Sequence, residues 1–231
     1  MDGNGRWATR RGLPRVAGHR AGVAAARRTI ERASDAGVRW LTLYAFSSDN
    51  WSRPPDEVKS IFWLLRTFLR IETERLRQRG ARLTVIGRRD RLPAALLREI
   101  VRAEDGTAGG RGLQLRVAVD YSSRDAIVRA ACSAFAEDRR PAPELAGPML
   151  ARVIEADSGD VDLLIRTGGE QRLSDFLLWE SAYAELVFTD RMWPDFDAAD
   201  LDAALEEFSR RTRRFGAVPE VDAVSAVGRR G

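Results

Sequence analysis

Val161-Asp162-Leu163-Leu164-Ile165 runs directly into Arg166-Thr167-Gly168-Gly169-Glu170-Gln171-Arg172-Leu173-Ser174. Past Asp175, the apolar Phe176-Leu177-Leu178-Trp179 follows. The first block is short, apolar and ends in a β-branched residue, the pattern of a buried strand. The second is a polar loop carrying two arginines and paired glycines. Ser174 stands just before an apolar run, which predicts a helix capped by its hydroxyl. A strand that empties into such a loop places the loop at the carboxyl end of a sheet, where open α/β folds bind ligands. Two guanidinium forks beside a helix amino end suit an anion with several oxygens. A solvated loop whose arginines make only surface pairs fits the same residues.

The rest of the chain repeats this alternation. Trp40 to Phe46 alternates as a strand and empties into Ser47-Ser48-Asp49-Asn50-Trp51-Ser52-Arg53-Pro54-Pro55, a second polar loop. Further strands are expected at 82–87, 113–119 and 185–188. Pro14 opens a helix stopped by Gly37, with Val16, His19, Val23, Ala26, Ile30 and Ala33 on one buried face. The paired prolines start another from about Asp56 to Arg79. Its apolar stripe is Val58, Ile61, Phe62, Leu65, Phe68, Leu69 and Leu76, widened by Trp63, Leu64 and Ile71. That helix packs a core or lines a hydrocarbon cavity. More helices are expected at 93–104, 123–137, 148–156 and 197–214, with a loop at 138–147, a Trp193-Pro194-Asp195 turn and a mobile tail at 217–231. The expectation is an α/β fold: a single domain with a mainly parallel central sheet flanked by helices, enclosing an apolar tunnel.

Composition narrows the function. The chain has 231 residues, 44% of them hydrophobic, enough for one large core. No apolar run approaches the length of a membrane span, and the charged, glycine-rich start does not read as a signal peptide. Cys132 is the single cysteine, so no internal disulfide is possible, which fits a reducing, cytoplasmic setting. Net charge is +4, but the arginines are scattered among many acids, so nucleic acid is not an expected partner. Neither GxxxxGK[ST] nor a correctly placed GxGxxG occurs.

The amino end reads Met1-Asp2-Gly3-Asn4-Gly5-Arg6-Trp7. Two glycines flanking Asn4 allow a tight turn whose N–H groups approach an anion, and Asp2 is a candidate ligand for a hard cation. Such a turn is equally an ordinary hairpin signal. His19, the only histidine, reads as a core residue or, with Arg15 one turn away, as a phosphate contact.

Three separated blocks together resemble one family, the cis-prenyltransferases typified by undecaprenyl diphosphate synthase. They are Met1 to Ala8 with Gly18-His19-Arg20-x-Gly22; Leu43 to Ser47 with Asn50-Trp51 and Arg53-Pro54; and Asp162 to Trp179 with Ala184-Glu185-Leu186. The resemblance spans residues 1–216 as one catalytic domain. It implies Mg²⁺-dependent, repeated coupling of isopentenyl diphosphate to an allylic diphosphate, farnesyl diphosphate being the expected primer, with new Z double bonds. By it, Asp2 is the essential acid on Mg²⁺ and Glu185 the second Mg²⁺ ligand. Gly3, Asn4, Gly5, Arg6, Arg15 and His19 cradle the allylic diphosphate with help from Arg53, and Arg166, Arg172 and Ser174 hold the isopentenyl diphosphate. Trp7, Ser47, Ser48, Asp49, Trp51 and Leu173 are expected as further substrate-binding residues. Asn50 takes the position credited with accepting the proton; since an amide is a feeble base, it is read as orienting a diphosphate oxygen or a water. The resemblance also implies a homodimer, with Arg214-Phe215-Gly216 reaching the neighbouring site, and peripheral membrane contact at product release.

The chain departs from the family pattern in places. The apolar strand that usually precedes the Met-Asp pair is absent, so the natural start is expected upstream of Met1. Asp120-Tyr121-Ser122-Ser123 stands for Asn-Tyr-Gly-Gly, and Asp175 and Glu180 replace common amides. Small Ala45 favours a long product. The alternatives are a short-chain Z-prenyl diphosphate synthase and a non-catalytic partner subunit, against which the presence of Asp2, Asn50 and Arg53 argues. A trans-type synthase lacks its Asp-Asp-x-x-Asp pair here.

Overall fold

The computed structural model describes residues 1–136 and 159–211. The expected loop at 138–147, the helix at 148–156, the Arg214–Gly216 segment and the tail lie outside them. Among the described residues five strands form two ladders, all of whose pairs are parallel. β1 (Trp40–Ser47), β2 (Arg82–Ile86) and β3 (Gln114–Tyr121) align in the order β1-β3-β2; β4 (Leu163–Arg166) pairs with β5 (Glu185–Phe188). The β3 strand is buried on both faces, the condition for a continuous apolar run such as Val117-Ala118-Val119. Register pairs Leu43 and Val85 with Val117.

Helices α1 (Asn4–Thr9), α2 (Arg15–Asp35), α3 (Pro55–Gln78), α4 (Ala94–Thr107), α5 (Ser123–Ala136) and α6 (Ala198–Arg210) complete the described fold. Pro55 opens α3 at a position where a missing N–H costs nothing. Its predicted stripe is buried as expected, each large side chain contributing about 1.5–3 kcal/mol. Trp63 and Ile71 are exceptions, half exposed on the outer face. Asp197 caps α6 by accepting from the N–H groups of Ala199 and Asp200.

Three local expectations are corrected. The Gly3-Asn4-Gly5 stretch is not a hairpin turn: Gly3 takes a left-handed φ of 98° and α1 begins at Asn4. Ser174 caps no helix. It and Asp175 and Leu177 have φ values of 50°, 60° and 46°, so the chain turns repeatedly instead. The buried face of α2 is wider than expected and starts later: Ala26, Ile30 and Ala33 are buried as expected and Val23 packs against the core, but Val16 is exposed, and Gly18, Gly22, Ala25 and Thr29 are buried as well. The cause is α1, which lies against α2. A Cβ at Gly18 would run into the Asn4 carbonyl, and one at Gly22 into the Asn4 side chain.

Candidate active site

The loops after β1 and β4 and the amino end of the chain meet at one cavity of about 810 Å³. Asp2 stands at this junction. Its N–H donates to Thr167 Oγ1 at 2.9 Å, and Thr167 Oγ1 donates back to the Asp2 carbonyl at 3.0 Å. Trp193 N–H donates to the same carbonyl at 2.9 Å. Gly168, at φ 87°, brings the loop so close that a Cβ there would meet Arg6 Nη2 at 2.9 Å and the Asp2 backbone at 3.1 Å. The glycine is required by both its dihedral and its neighbours.

The Asp2 carboxylate accepts from Arg166 Nη2 at 3.0 Å and Gly3 N–H at 2.6 Å, with Arg6 Nη2 3.4 Å away. Burial opposes its ionisation, but the bonds from Arg166 and Gly3 and the charge of Arg6 outweigh this and hold its pKa below the ordinary value. Asp2 is therefore anionic at neutral pH. The other amino group of Arg166 donates to Ser174 Oγ at 2.8 Å and to the Arg172 carbonyl. One planar fork thus joins the acid, the loop backbone and the serine. Glu170 takes the heads of Arg172 and Arg6.

A second cluster forms where α2 faces the amino end of α3. Arg15 gives a two-pronged contact to Glu57, at 2.9 and 3.1 Å; His19 Nε2 lies 3.1 Å and Arg53 Nη1 3.4 Å from the same carboxylate. Gly5 makes room for Arg15, whose guanidinium a Cβ there would meet at 2.5 Å. Burial lowers the His19 pKa, and Glu57 only partly offsets it. Burial resists the charge on Glu57, but Arg15 and His19 hold its pKa below the usual carboxylate range. Sequence reasoning missed Glu57, although its place three residues past Pro54, at a helix start, was visible.

The loop after β1 is a 3₁₀ turn, Ser48–Ser52. Asn50 Oδ1 accepts from Ser47 N–H at 3.2 Å, so its amide carbonyl is used in shaping the loop. Behind it, Ser48 Oγ donates to Asp120, which is fully buried and held by both arms of Arg91. Trp51 packs edge-on against Phe46 and Phe62, with centroids 5.5 and 5.3 Å apart.

Of the expected site residues, Asp2, Gly3, Asn4, Gly5, Arg6, Arg15, His19, Ser47, Asp49, Asn50, Arg53, Arg166, Arg172, Leu173 and Ser174 line the cavity. Trp7, Ser48 and Trp51 do not. Trp7 Nε1 donates to Asp195 at 2.7 Å instead, tying the chain's start to the loop before α6. Glu185 is also elsewhere. It opens β5 opposite Leu163, while Arg166 pairs with Phe188 at the other end, and its carboxylate binds Arg211 Nη1 at 2.7 Å. The described part of one chain does not bring Glu185 to Asp2. Among the described residues no three His, Cys, Asp or Glu side chains gather as a metal cage. One ionised carboxylate beside an anion site still fits Mg²⁺, which is commonly held by one or two carboxylates plus substrate phosphates.

Behind the polar rim, α2, α3, β1 and β3 enclose a smaller cavity of about 100 Å³. Val23, Ala26, Ala45, Ile61, Leu65 and Phe68 line it, and it shares Asn4, His19 and Tyr44 with the larger one. The arrangement is an anion cradle backed by an apolar hollow. No helix of the described residues is long and apolar enough to cross a membrane.

Comparison with known proteins agrees with this geometry. The prenyltransferase family model, described by undecaprenyl diphosphate synthase, matches residues 1–216. Isoprenyl transferase 1 of Bradyrhizobium diazoefficiens is 56% identical over 223 residues, covering 96% of this chain and 89% of that protein. The isoprenyl transferase of Aquifex aeolicus is 46% identical, covering 94% of each. The crystal structure of lavandulyl diphosphate synthase from Lavandula x intermedia, in complex with dimethylallyl diphosphate, superposes with a TM-score of 0.88 at 33% identity, covering 94% of this chain and 95% of that one. A probable undecaprenyl diphosphate synthase from Campylobacter jejuni gives 0.76 at 33% identity, over 85% of this chain and 92% of that one. The apolar hollow, the guanidinium-ringed acid and these likenesses converge: the chain belongs to the undecaprenyl diphosphate synthase family of isoprenyl transferases, and is a prenyl-transferring enzyme.

Proposed function

We propose that the enzyme condenses isopentenyl diphosphate with an allylic diphosphate, farnesyl diphosphate first, and repeats the step to give a Z-polyprenyl diphosphate. The observation that carries this reading is the ionised Asp2, flanked by Arg6 and Arg166, in a polar cavity that adjoins an apolar hollow through Asn4, His19 and Tyr44. In each cycle the allylic C1–O bond breaks and C1 bonds to C4 of isopentenyl diphosphate. The C2 proton leaves, and inorganic diphosphate is released. Arg15, Arg53 and His19 face the leaving group and stabilise charge where it develops. Arg166, Arg172 and Ser174 hold the second diphosphate through charge-assisted bonds, each worth roughly 1.5–3 kcal/mol. Asn50, with its carbonyl committed to Ser47 N–H, has its amide N–H groups left to orient the diphosphate oxygen or water that takes the proton. Asp2 would hold Mg²⁺, which when bound neutralises diphosphate charge and assists departure of the leaving group. The apolar wall excludes water from the carbocation-like fragment.

Each isoprene buries five carbons, about 4 kcal/mol at ~0.8 per carbon, so a long product leaves slowly. Release to a membrane surface and a homodimeric, cytoplasmic enzyme belong to the same reading. A short-chain synthase is the second reading, favoured by the small size of the apolar cavity, about 100 Å³. Labelled isopentenyl diphosphate supplied with geranyl or farnesyl primers and Mg²⁺, followed by chromatography of the dephosphorylated products, tests both. Chains of many units support the first reading and two to four units the second. No incorporation with any primer refutes the proposal.

A further inference from the structure

We infer that Glu57 is a positioning residue for the allylic diphosphate: its carboxylate, set behind the cradle, fixes the heads of Arg15, His19 and Arg53 in one arrangement before substrate arrives. The inference rests on the function proposed above. Three observations support it. Glu57 is nearly buried, its side chain 10% exposed, yet it does not line the cavity that all three of its partners line. It therefore contacts them from the side away from the ligand. It also makes no capping bond to its own helix. It occupies the third position of α3, where a glutamate usually reaches back to the cap, but the cap is Pro54, which has no N–H. Finally, one carboxylate takes a planar two-pronged contact from Arg15 and single contacts from the other two. Arg15 thereby keeps Nη1 free of Glu57, and His19 keeps Nδ1.

A neighbouring carboxylate has two opposed effects on an arriving anion. Its charge repels the diphosphate, while its bonds remove rotamer freedom from long cationic side chains. Glu57 sits behind cations that lie between it and the ligand, so the repulsion is screened and the ordering dominates. Partners that orient metal ligands matter by about 10- to 100-fold, and an effect at the lower end of that range is expected for groups that hold a diphosphate.

Steady-state kinetics of the Glu57→Gln enzyme with farnesyl and isopentenyl diphosphates tests this. The expected result is an allylic KM raised about tenfold, with kcat changed by less than about threefold and the isopentenyl KM unchanged. A lower allylic KM would mean that repulsion dominates, and an equal rise of both KM values would mean general loosening; either overturns the inference. Because His19 is the only histidine, its ring resonances can be followed without assignment. The groups around it are Glu57, Arg53 and Arg15, and only Glu57 favours the charged ring. Glu57→Gln should therefore lower the ring pKa further, and an unchanged titration also refutes the arrangement. Glu57→Asp, which keeps the charge and shortens the reach, should keep part of the pKa effect and give an intermediate KM. If the wild type turns over no allylic diphosphate, the proposed reaction fails, while the titration still reads the Glu57 contacts.

Discussion

Two carboxylates organise two groups of cations in this enzyme, and they do so differently. Asp2 is carried by backbone: its N–H and C=O are bonded to Thr167 and Trp193, and its side chain faces the cavity. Glu57 is carried by a long side chain from a helix start and stays behind its partners. The first acid is placed to meet a ligand, the second to brace the groups that do. A carboxylate among arginines is thus not one kind of site; which side it faces decides its role.

The sharpest way to break the contrast is Asp2→Ala. If Asp2 faces the chemistry, kcat should fall by roughly 100- to 1,000-fold or more, with the circular dichroism spectrum unchanged because the side chain is partly exposed. Retained turnover would put Asp2 outside the reaction. Arg166→Lys comes next. A lysine cannot span Ser174 and Asp2 at once, so the KM for isopentenyl diphosphate should rise about 10- to 100-fold while the allylic KM moves little. An effect on the allylic KM alone would reverse the assignment of the two clusters. Gly22→Ala tests the packing beneath both. Its Cβ would press on the Asn4 side chain and approach the Trp193 ring at 3.0 Å, so about 1–3 kcal/mol of stability should be lost, visible as a lower Tm.

The smallest effect concerns protons. Free His19 has its pKa lowered by burial, so it is largely neutral at pH 7. A bound diphosphate would favour the charged ring and raise that pKa. Binding then takes up part of a proton, and affinity falls as pH rises through the pKa of the complex. Calorimetry in two buffers of different ionisation enthalpy, comparing wild type with His19→Gln, measures the difference. Equal uptake by both would show that His19 does not face the ligand.

Strand and helix placement was largely legible because it depends on local periodicity. Trp40 to Phe46 alternates, and the α3 stripe recurs at helical spacing, so both elements appear where expected. The errors arise where distant segments decide. On α2 the added buried stripe was missed because α1 presses on Gly18 and Gly22, and small residues carry little hydropathy signal. The helix expected after Ser174 fails because the segment turns back to serve β3 and α5: Asp175 receives Ser122 Oγ–H and Arg124 N–H. The cavity lining was mostly readable from the resemblance. Glu57 was not, since its partners Arg15 and His19 lie 42 and 38 positions away.

The bond between Asp2 and Thr167 spans 165 positions of chain. A ribosome adding roughly 5–20 residues per second needs on the order of 10–30 s to cover that distance. Throughout that interval the acid has only its local partners, Gly3 N–H and Arg6, and lacks the dock that Arg166 and Thr167 supply. Competence must therefore wait until the loop after β4 has been made, and polypeptides that stop short of Thr167 should be inert rather than partly active.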